Sequence, residues 1–126
     1  MSALAFLSVA VAGGVGAALR FFLDGAINRG RQFRLPVGTL TINITGSFLL
    51  GLITGAAGHL GATPVAVLGT GLMGGYTTFS TASFETVRLA RTGRTTAAAV
   101  NGLGMLVVSV AAAAAGVTLG TLGTLT

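Results

Sequence analysis

The sequence predicts an all-α membrane protein with four transmembrane helices. Three observations carry this prediction: hydrophobic residues make up 52% of the 126 residues, only 7% are charged, and the mean hydropathy is +0.91. Soluble domains carry about 25% charged residues and disordered chains are polar, so a soluble enzyme and a disordered chain are both excluded. Four apolar stretches fit the length, and about 20 residues suffice to cross a hydrocarbon core. We therefore expect a single four-span transmembrane domain over residues 1–126.

The limits of the spans follow from helix start signals and from polar loops. The expected spans cover about residues 3–23, 38–58, 64–87 and 96–122. Pro36 suits the first turn of the second helix, and Thr63 followed by Pro64 is a helix start signal for the third. Glycines four residues apart, such as Gly51 and Gly55, are typical of closely packed membrane helices.

The charges favour a role in orientation over a role in catalysis. Seven arginines outweigh Asp24 and Glu85 to give a net charge of +5. Because the arginines flank apolar spans, we expect them to orient the chain in the bilayer and not to bind nucleic acid. Cysteine is absent, which excludes disulfides and thiolate sites. The sequence carries no nucleotide-binding or metalloprotease motif, so enzymatic catalysis has no candidate residues.

A polar stripe lies inside the second span. Thr39, Asn43 and Ser47 are spaced four residues apart and therefore share one face of a helix. An amide buried in hydrocarbon needs hydrogen-bond partners. Two interpretations remain open: Asn43 bonds a neighbouring helix, or it donates N–H groups into a pore.

The third span carries an unusual polar segment. Gly74 and Gly75 disfavour a helix, and hydroxyl residues such as Thr77 and Thr78 follow them. A break near the two glycines would release backbone carbonyls that can coordinate a cation. The alternative is a kink in which the Thr77 and Thr78 hydroxyls bond back to the chain.

Three segments together resemble the Fluc (CrcB) family of fluoride channels. They are GGVGAALRF at 13–21, PVGTLTINITGSF at 36–48, and GGYTTFST at 74–81 with Glu85. Their order and spacing match the family over nearly the whole chain, and the third segment is the most specific. The resemblance implies passive fluoride export across the cytoplasmic membrane of a prokaryote.

The resemblance also implies an assembly and a metal ion. Family members are antiparallel dual-topology dimers with two fluoride pores and a structural sodium ion at the dimer centre. By matching positions, Gly74 and Thr77 would supply backbone carbonyls to the sodium ion.

The same matching assigns the anion pore. Asn43 corresponds to the pore asparagine, Phe79 to the first pore phenylalanine, Ser109 to a fourth-span pore serine, and Arg20 to an arginine near a vestibule. Thr39 and Ser47 extend the donor set. Fluoride is strongly hydrated, so a selective pore must replace water with amide and hydroxyl donors and with the positive edges of aromatic rings.

Two departures from the family pattern and the arginine distribution predict a heterodimer. Ala82 stands where the family carries a second pore phenylalanine, and Ala113 stands where a hydroxyl is common; Phe84 is rotated by roughly 200° from the Ala82 position. The arginines fall in or beside the two loops on one side: Arg20, Arg29, Arg31, Arg34, Arg88, Arg91 and Arg94. The positive-inside rule then places both termini outside. A chain fixed in one orientation would need a homologous four-span partner of opposite charge bias, and the alternative is a homodimer that inserts both ways.

Two other functions compete with the channel. A small four-span multidrug antiporter would need a membrane-embedded carboxylate in the first span, and this span has none before Asp24. A non-conducting partner subunit of a heterodimeric channel is compatible with the glycine packing motifs and with the two departures.

Overall fold

The computed structural model describes residues 1–30 and 35–126, and this part of the chain is helical without a β-strand. The elements are α1 (Ala3–Asn28), α2 (Val37–Gly55), α3 (Ala57–Leu60), α4 (Ala62–Val65), a π-helix (Ala66–Met73), α5 (Gly74–Tyr76), α6 (Ser80–Arg91) and α7 (Thr95–Leu125). Within the described ranges, α1, α2 and α7 are long and apolar enough to cross a membrane. These three helices confirm the first, second and fourth expected spans.

Local signals at the helix ends explain where the long helices begin and end. The Ser2 hydroxyl accepts a hydrogen bond from the Ala5 N–H at 3.1 Å and so caps α1. Pro36 immediately precedes α2. Gly93, with a φ of +81°, lies between α6 and α7, where only glycine adopts the required backbone without strain.

The third expected span is interrupted just after the two glycines. Gly74 and Gly75 are helical, and the helix ends after Tyr76, so the break covers residues 77–79. The break expected near the two glycines therefore begins two residues after Gly75. Gly75 instead serves helix packing, because a Cβ at this position would overlap the carbonyl oxygen of Gly13 in α1.

Glycine pairs hold α2 against α7. A Cβ on Gly51 or Gly55 would overlap backbone carbonyls of α7, and a Cβ on Gly116 or Gly120 would overlap backbone carbonyls of α2. Since each helix removes side chains where the other approaches, the two backbones lie in direct contact. The glycine spacing was thus read correctly as close helix packing.

The end of α1, the start of α2 and the middle of α6 meet at one end of the molecule. The Asp24 carboxylate, near the end of α1, lies against Gly38 at the start of α2. Thr39 in turn donates to Glu85 in α6 at 2.9 Å. The described arginines lie toward this end. Arg20 is in the second half of α1, and the others are at or near helix termini: Arg29, Arg88, Arg91 and Arg94. Arg31 and Arg34 lie outside the described residues.

Candidate functional site

A groove of about 480 Å³ lies where the break in the third span faces α2, α6 and α7. Its lining brings together five predicted site residues: Asn43, Ser47, Thr77, Phe79 and Ser109. Asn43 and Ser47 reach it together because they are one turn apart on α2. The groove is therefore built from residues of α2, α6 and α7 and of the break before α6.

The Asn43 amide braces the break. Its Oδ1 accepts the backbone N–H of Thr78 at 2.8 Å, and its Nδ2 donates to the Thr78 carbonyl oxygen at 2.8 Å. Asn43 is only 8% exposed, and both polar groups of Thr78 would otherwise lack a backbone partner at the break. The interpretation of Asn43 as a helix-bonding residue is therefore correct.

The same amide retains one weakly held donor. Besides Thr78, the Nδ2 group contacts the sulfur of Met105 in α7 at 3.2 Å. A thioether is a weak hydrogen-bond acceptor, so this N–H can be given to a better one. Bracing the break and donating into the groove are thus compatible roles of one side chain.

The break leaves backbone carbonyls available. In the described part of the chain, no backbone N–H donates to the carbonyl oxygens of Gly74 or Thr77. The Thr77 hydroxyl bonds back to the Met73 carbonyl at 2.9 Å, and the Thr78 hydroxyl accepts the N–H of Thr81 at 3.1 Å. The third expected span therefore shows features of both interpretations. The helix is broken, and the Thr77 hydroxyl bonds back to the chain as expected for a kink. Two free carbonyls are oxygen ligands of the kind that hard cations take.

Ser109 provides a hydroxyl without a partner. Its Oγ is buried, and it has no hydrogen bond among the described residues. The residue lies on α7, one turn after Met105, and both line the groove. A buried hydroxyl that lacks a partner is costly, so an acceptor that enters the groove would relieve that cost.

Phe79 lies at the mouth of the groove with a free ring. The side chain is 88% exposed and directly precedes α6. Ala82 lines the groove one turn further on, whereas Phe84 is 68% exposed and is not part of the lining. Phe84 thus lies outside the groove, in keeping with its helical register, and the prediction that it does not replace a second pore phenylalanine stays a prediction.

Besides Gly74, whose carbonyl is described above, two predicted site residues lie outside this lining. Thr39 is buried, and its hydroxyl donates to Oε1 of Glu85, whose Oε2 is buried and has no partner among the described residues. Arg20 is half-buried on α1 and is absent from the lining. Their assignments to the pore and to a vestibule stay predictions.

The groove also contains polar residues that the sequence reasoning missed. Asn101 is buried in α7 and donates to the Thr86 hydroxyl at 2.8 Å, which in turn donates to the Ala82 carbonyl at 2.8 Å. An asparagine inside the fourth span carries the same signal that drew attention to Asn43. Met105 gave no such signal, since a methionine in an apolar span is ordinary packing.

Comparison with known proteins adds a family assignment to this geometry. A family model described as "CrcB-like protein, Camphor Resistance (CrcB)" matches residues 7–117. The Leifsonia xyli protein "Fluoride-specific ion channel FluC 1" is 51% identical over 106 residues, which cover 82% of this chain and 77% of the relative. The Cutibacterium acnes protein "Fluoride-specific ion channel FluC 2" is 54% identical over 90 residues, or 69% and 73% of the two chains. The match of the family model over most of the sequence, together with these relatives, means that the chain belongs to the CrcB family.

Proposed function

We propose that the chain is a subunit of a fluoride-selective channel through which fluoride leaves the cytoplasm passively. The observation that carries this proposal is the groove, in which one of the two Asn43 Nδ2–H groups is paired with a thioether and the Ser109 hydroxyl has no described partner. Relatives named as fluoride-specific ion channels support the choice of ion.

The chemistry of the groove suits a small, strongly hydrated anion. An N–H and an O–H that lack strong acceptors can replace part of the water shell of fluoride, and ionised acceptors form the stronger hydrogen bonds. The lining of the groove contains no aspartate or glutamate. Passive conduction needs no titrating carboxylate, in contrast to proton-coupled exchange.

We infer that residues 62–91 cross the membrane as the third span, which gives four crossings together with α1, α2 and α7. The segment consists of α4, the π-helix, α5, the break and α6. Irregular backbone within a bilayer must be buried in protein or line a water-filled cavity. The brace from Asn43 to Thr78 and the groove beside it satisfy that requirement.

A sodium ion at the break is part of the proposal. The carbonyl oxygens of Gly74 and Thr77 would hold it, because no described backbone N–H uses them. Bound there, the ion would supply positive potential that favours anions nearby. The Asn43 brace fixes the backbone of Thr78, the residue next to one of these carbonyls.

The chain is proposed to work as an antiparallel dimer, and a heterodimer with a homologous four-span subunit is favoured over a homodimer. The exposed Phe79 ring at the mouth of the groove leaves space for a partner to complete the pore. Ala82 in the lining removes an aromatic edge that a partner subunit can restore. If the partner supplies the complete pore, this chain contributes the non-conducting side.

Flux measurements on reconstituted protein test the function. Liposomes that contain this chain, alone or with its homologous partner, should release trapped fluoride while they retain chloride. The electrode trace for fluoride is compared with that for chloride in the same vesicles, and protein-free vesicles serve as the control. Equal fluoride and chloride release, or no fluoride release from either preparation, would contradict the proposed function.

A further inference from the structure

The orientation of the Asn43 amide is fixed by the backbone that it braces. The Thr78 N–H requires an oxygen, and the Thr78 carbonyl requires a donor, so Oδ1 and Nδ2 of Asn43 cannot be exchanged. The group that faces Met105 is therefore the nitrogen. One of its two hydrogens is used by Thr78, and the other points to the Met105 sulfur at 3.2 Å.

Both partners of this contact are almost fully buried. Asn43 is 8% exposed and Met105 is 5% exposed. In such a site the second N–H has the thioether as its acceptor in the described part of the chain. A methionine side chain has three rotatable bonds and adapts easily, so its sulfur can leave the contact without a change in the helix.

Met105 also lies beside the free hydroxyl of the groove. Met105 and Ser109 are four residues apart on α7, so they share one face of the helix, and both line the groove. An anion in the position of the sulfur would thus contact the Asn43 amide. Ser109 lies one helical turn after Met105 on α7.

We propose that Met105 sets the fluoride affinity of the groove. Its sulfur accepts the Asn43 Nδ2–H in the position that the anion would take, until fluoride displaces it. This inference rests on the proposed function. It makes Met105 a positioning residue: the side chain keeps the amide donor paired while the pore is empty, and it competes only weakly with the ion. A stronger acceptor at residue 105 would block the donor, and an aliphatic side chain would leave it unpaired and ready for the ion.

Two substitutions at residue 105 separate this role from simple packing. Met105→Leu keeps the volume and apolar character but removes the acceptor, and Leu–Met exchanges are well tolerated in cores. Met105→Gln keeps the length and introduces an amide oxygen, which is a strong acceptor. Met73→Leu is the matched control, since Met73 is equally buried but packs against Ile42 and Tyr76.

The measurement is the fluoride concentration that gives half-maximal flux in liposomes. Met105→Leu should lower it about two- to fivefold, the effect of one weak hydrogen bond, and Met105→Gln should raise it by about tenfold or more. Met73→Leu should leave it unchanged. A purely structural role of Met105 would alter the amount of folded protein and would not shift half-saturation in opposite directions.

Side-chain NMR gives a second readout that does not depend on flux. The chain has three asparagines, so labelling with ¹⁵N-asparagine yields three side-chain amide signals. Fluoride added to the detergent-solubilised chain, with its homologous partner where the pore requires it, should shift the Asn43 signal, at lower concentration in Met105→Leu. The signal of Asn28, which is not part of the groove lining, serves as the internal reference.

The outcomes distinguish the inference from the function on which it rests. Fluoride flux with the same half-saturation in wild type, Met105→Leu and Met105→Gln would overturn the role of Met105 and leave the channel function intact. Absence of fluoride-selective flux in the wild type would overturn both.

Discussion

The Asn43 amide combines a structural role with the proposed binding role in one side chain. Its oxygen and one of its N–H groups pair with the backbone of Thr78, which lies in the middle of the broken span. Water is not available at membrane depth, so a break there persists only if its polar groups find partners inside the protein. The remaining N–H of Asn43 is what the groove can offer to an anion.

At the residue scale, Asn43→Ala and Ser109→Ala should separate stability from conduction. Asn43→Ala leaves the Thr78 N–H and carbonyl unpaired, at about 1–3 kcal/mol for each group, and should lower both thermal stability and flux. Ser109→Ala removes a hydroxyl with no described partner, so stability should be retained. Its fluoride flux should fall about tenfold or more, because a hydrogen bond to a charged group contributes about 1.5–3 kcal/mol.

The measurements for this pair are a thermal unfolding curve in detergent and the initial rate of fluoride release from liposomes. Asn43→Ala with wild-type melting would contradict the bracing role. Ser109→Ala with wild-type flux would remove Ser109 from the anion pathway.

The expected membrane spans differ in whether their helix is continuous. Helices α1, α2 and α7 are continuous, whereas the third span is assembled from short helical pieces, a π-helix and a break. The pieces are kept in place by close backbone contacts: α1 meets the third span at Gly75, and α2 meets α7 at paired glycines such as Gly51 and Gly116. Packing through backbone contact replaces the hydrophobic effect, which does not drive helix association in lipid.

At the element scale, Gly116→Ala should separate α2 from α7. A Cβ on Gly116 would overlap the Phe48 carbonyl oxygen, and such overpacking costs about 1–3 kcal/mol or more. Gly104→Ala is the matched control on the same helix, because a Cβ there meets no atom within 4 Å. The control should be neutral or slightly stabilising, since alanine favours a helix more than glycine does.

Thermal stability in detergent, followed by size-exclusion chromatography after heating, compares the two glycine variants. Equal midpoints for Gly116→Ala and Gly104→Ala would mean that the α2–α7 contact adapts to a methyl group.

The whole molecule carries its described arginines at one end. The contacts of Asp24 with Gly38 and of Thr39 with Glu85 bring the end of α1, the start of α2 and part of α6 together. Arg88 and Arg91 follow in the last turn of α6. Many large apolar side chains remain exposed, including Leu103, Leu106 and Val107 on α7, as expected for surfaces that face lipid or a second subunit.

At the scale of the whole molecule, the arginine bias predicts a single orientation. A C-terminal reporter on this chain should signal from outside the cytoplasm only. The arginines hold the two loops on the other side of the membrane in the cytoplasm. A double Arg88→Ala and Arg91→Ala variant weakens the bias and should give a mixed signal. An even split for the wild-type chain, with strong fluoride flux from this chain alone, would contradict the heterodimer.

The features that depend on local composition and spacing can be predicted from the sequence. Long apolar runs require α1, α2 and α7, since only a helix satisfies its own backbone in hydrocarbon. The spacing of four residues placed Asn43 and Ser47 on one face, and both line the groove. The motifs also identified the family, which the family model and the relatives confirm.

The tertiary structure alone decided which polar groups meet across helices. The break follows Tyr76 and spares Gly75: Gly75 lies against the Gly13 carbonyl of α1, and the Asn43 amide provides partners at Thr78. Thr39 shares its stripe with Asn43 but bonds Glu85 outside the groove. These pairings, including the contact between Asn43 and Met105, join residues 35 to 62 positions apart in the chain. Helical periodicity predicts which residues share a face, but it does not predict what lies opposite that face.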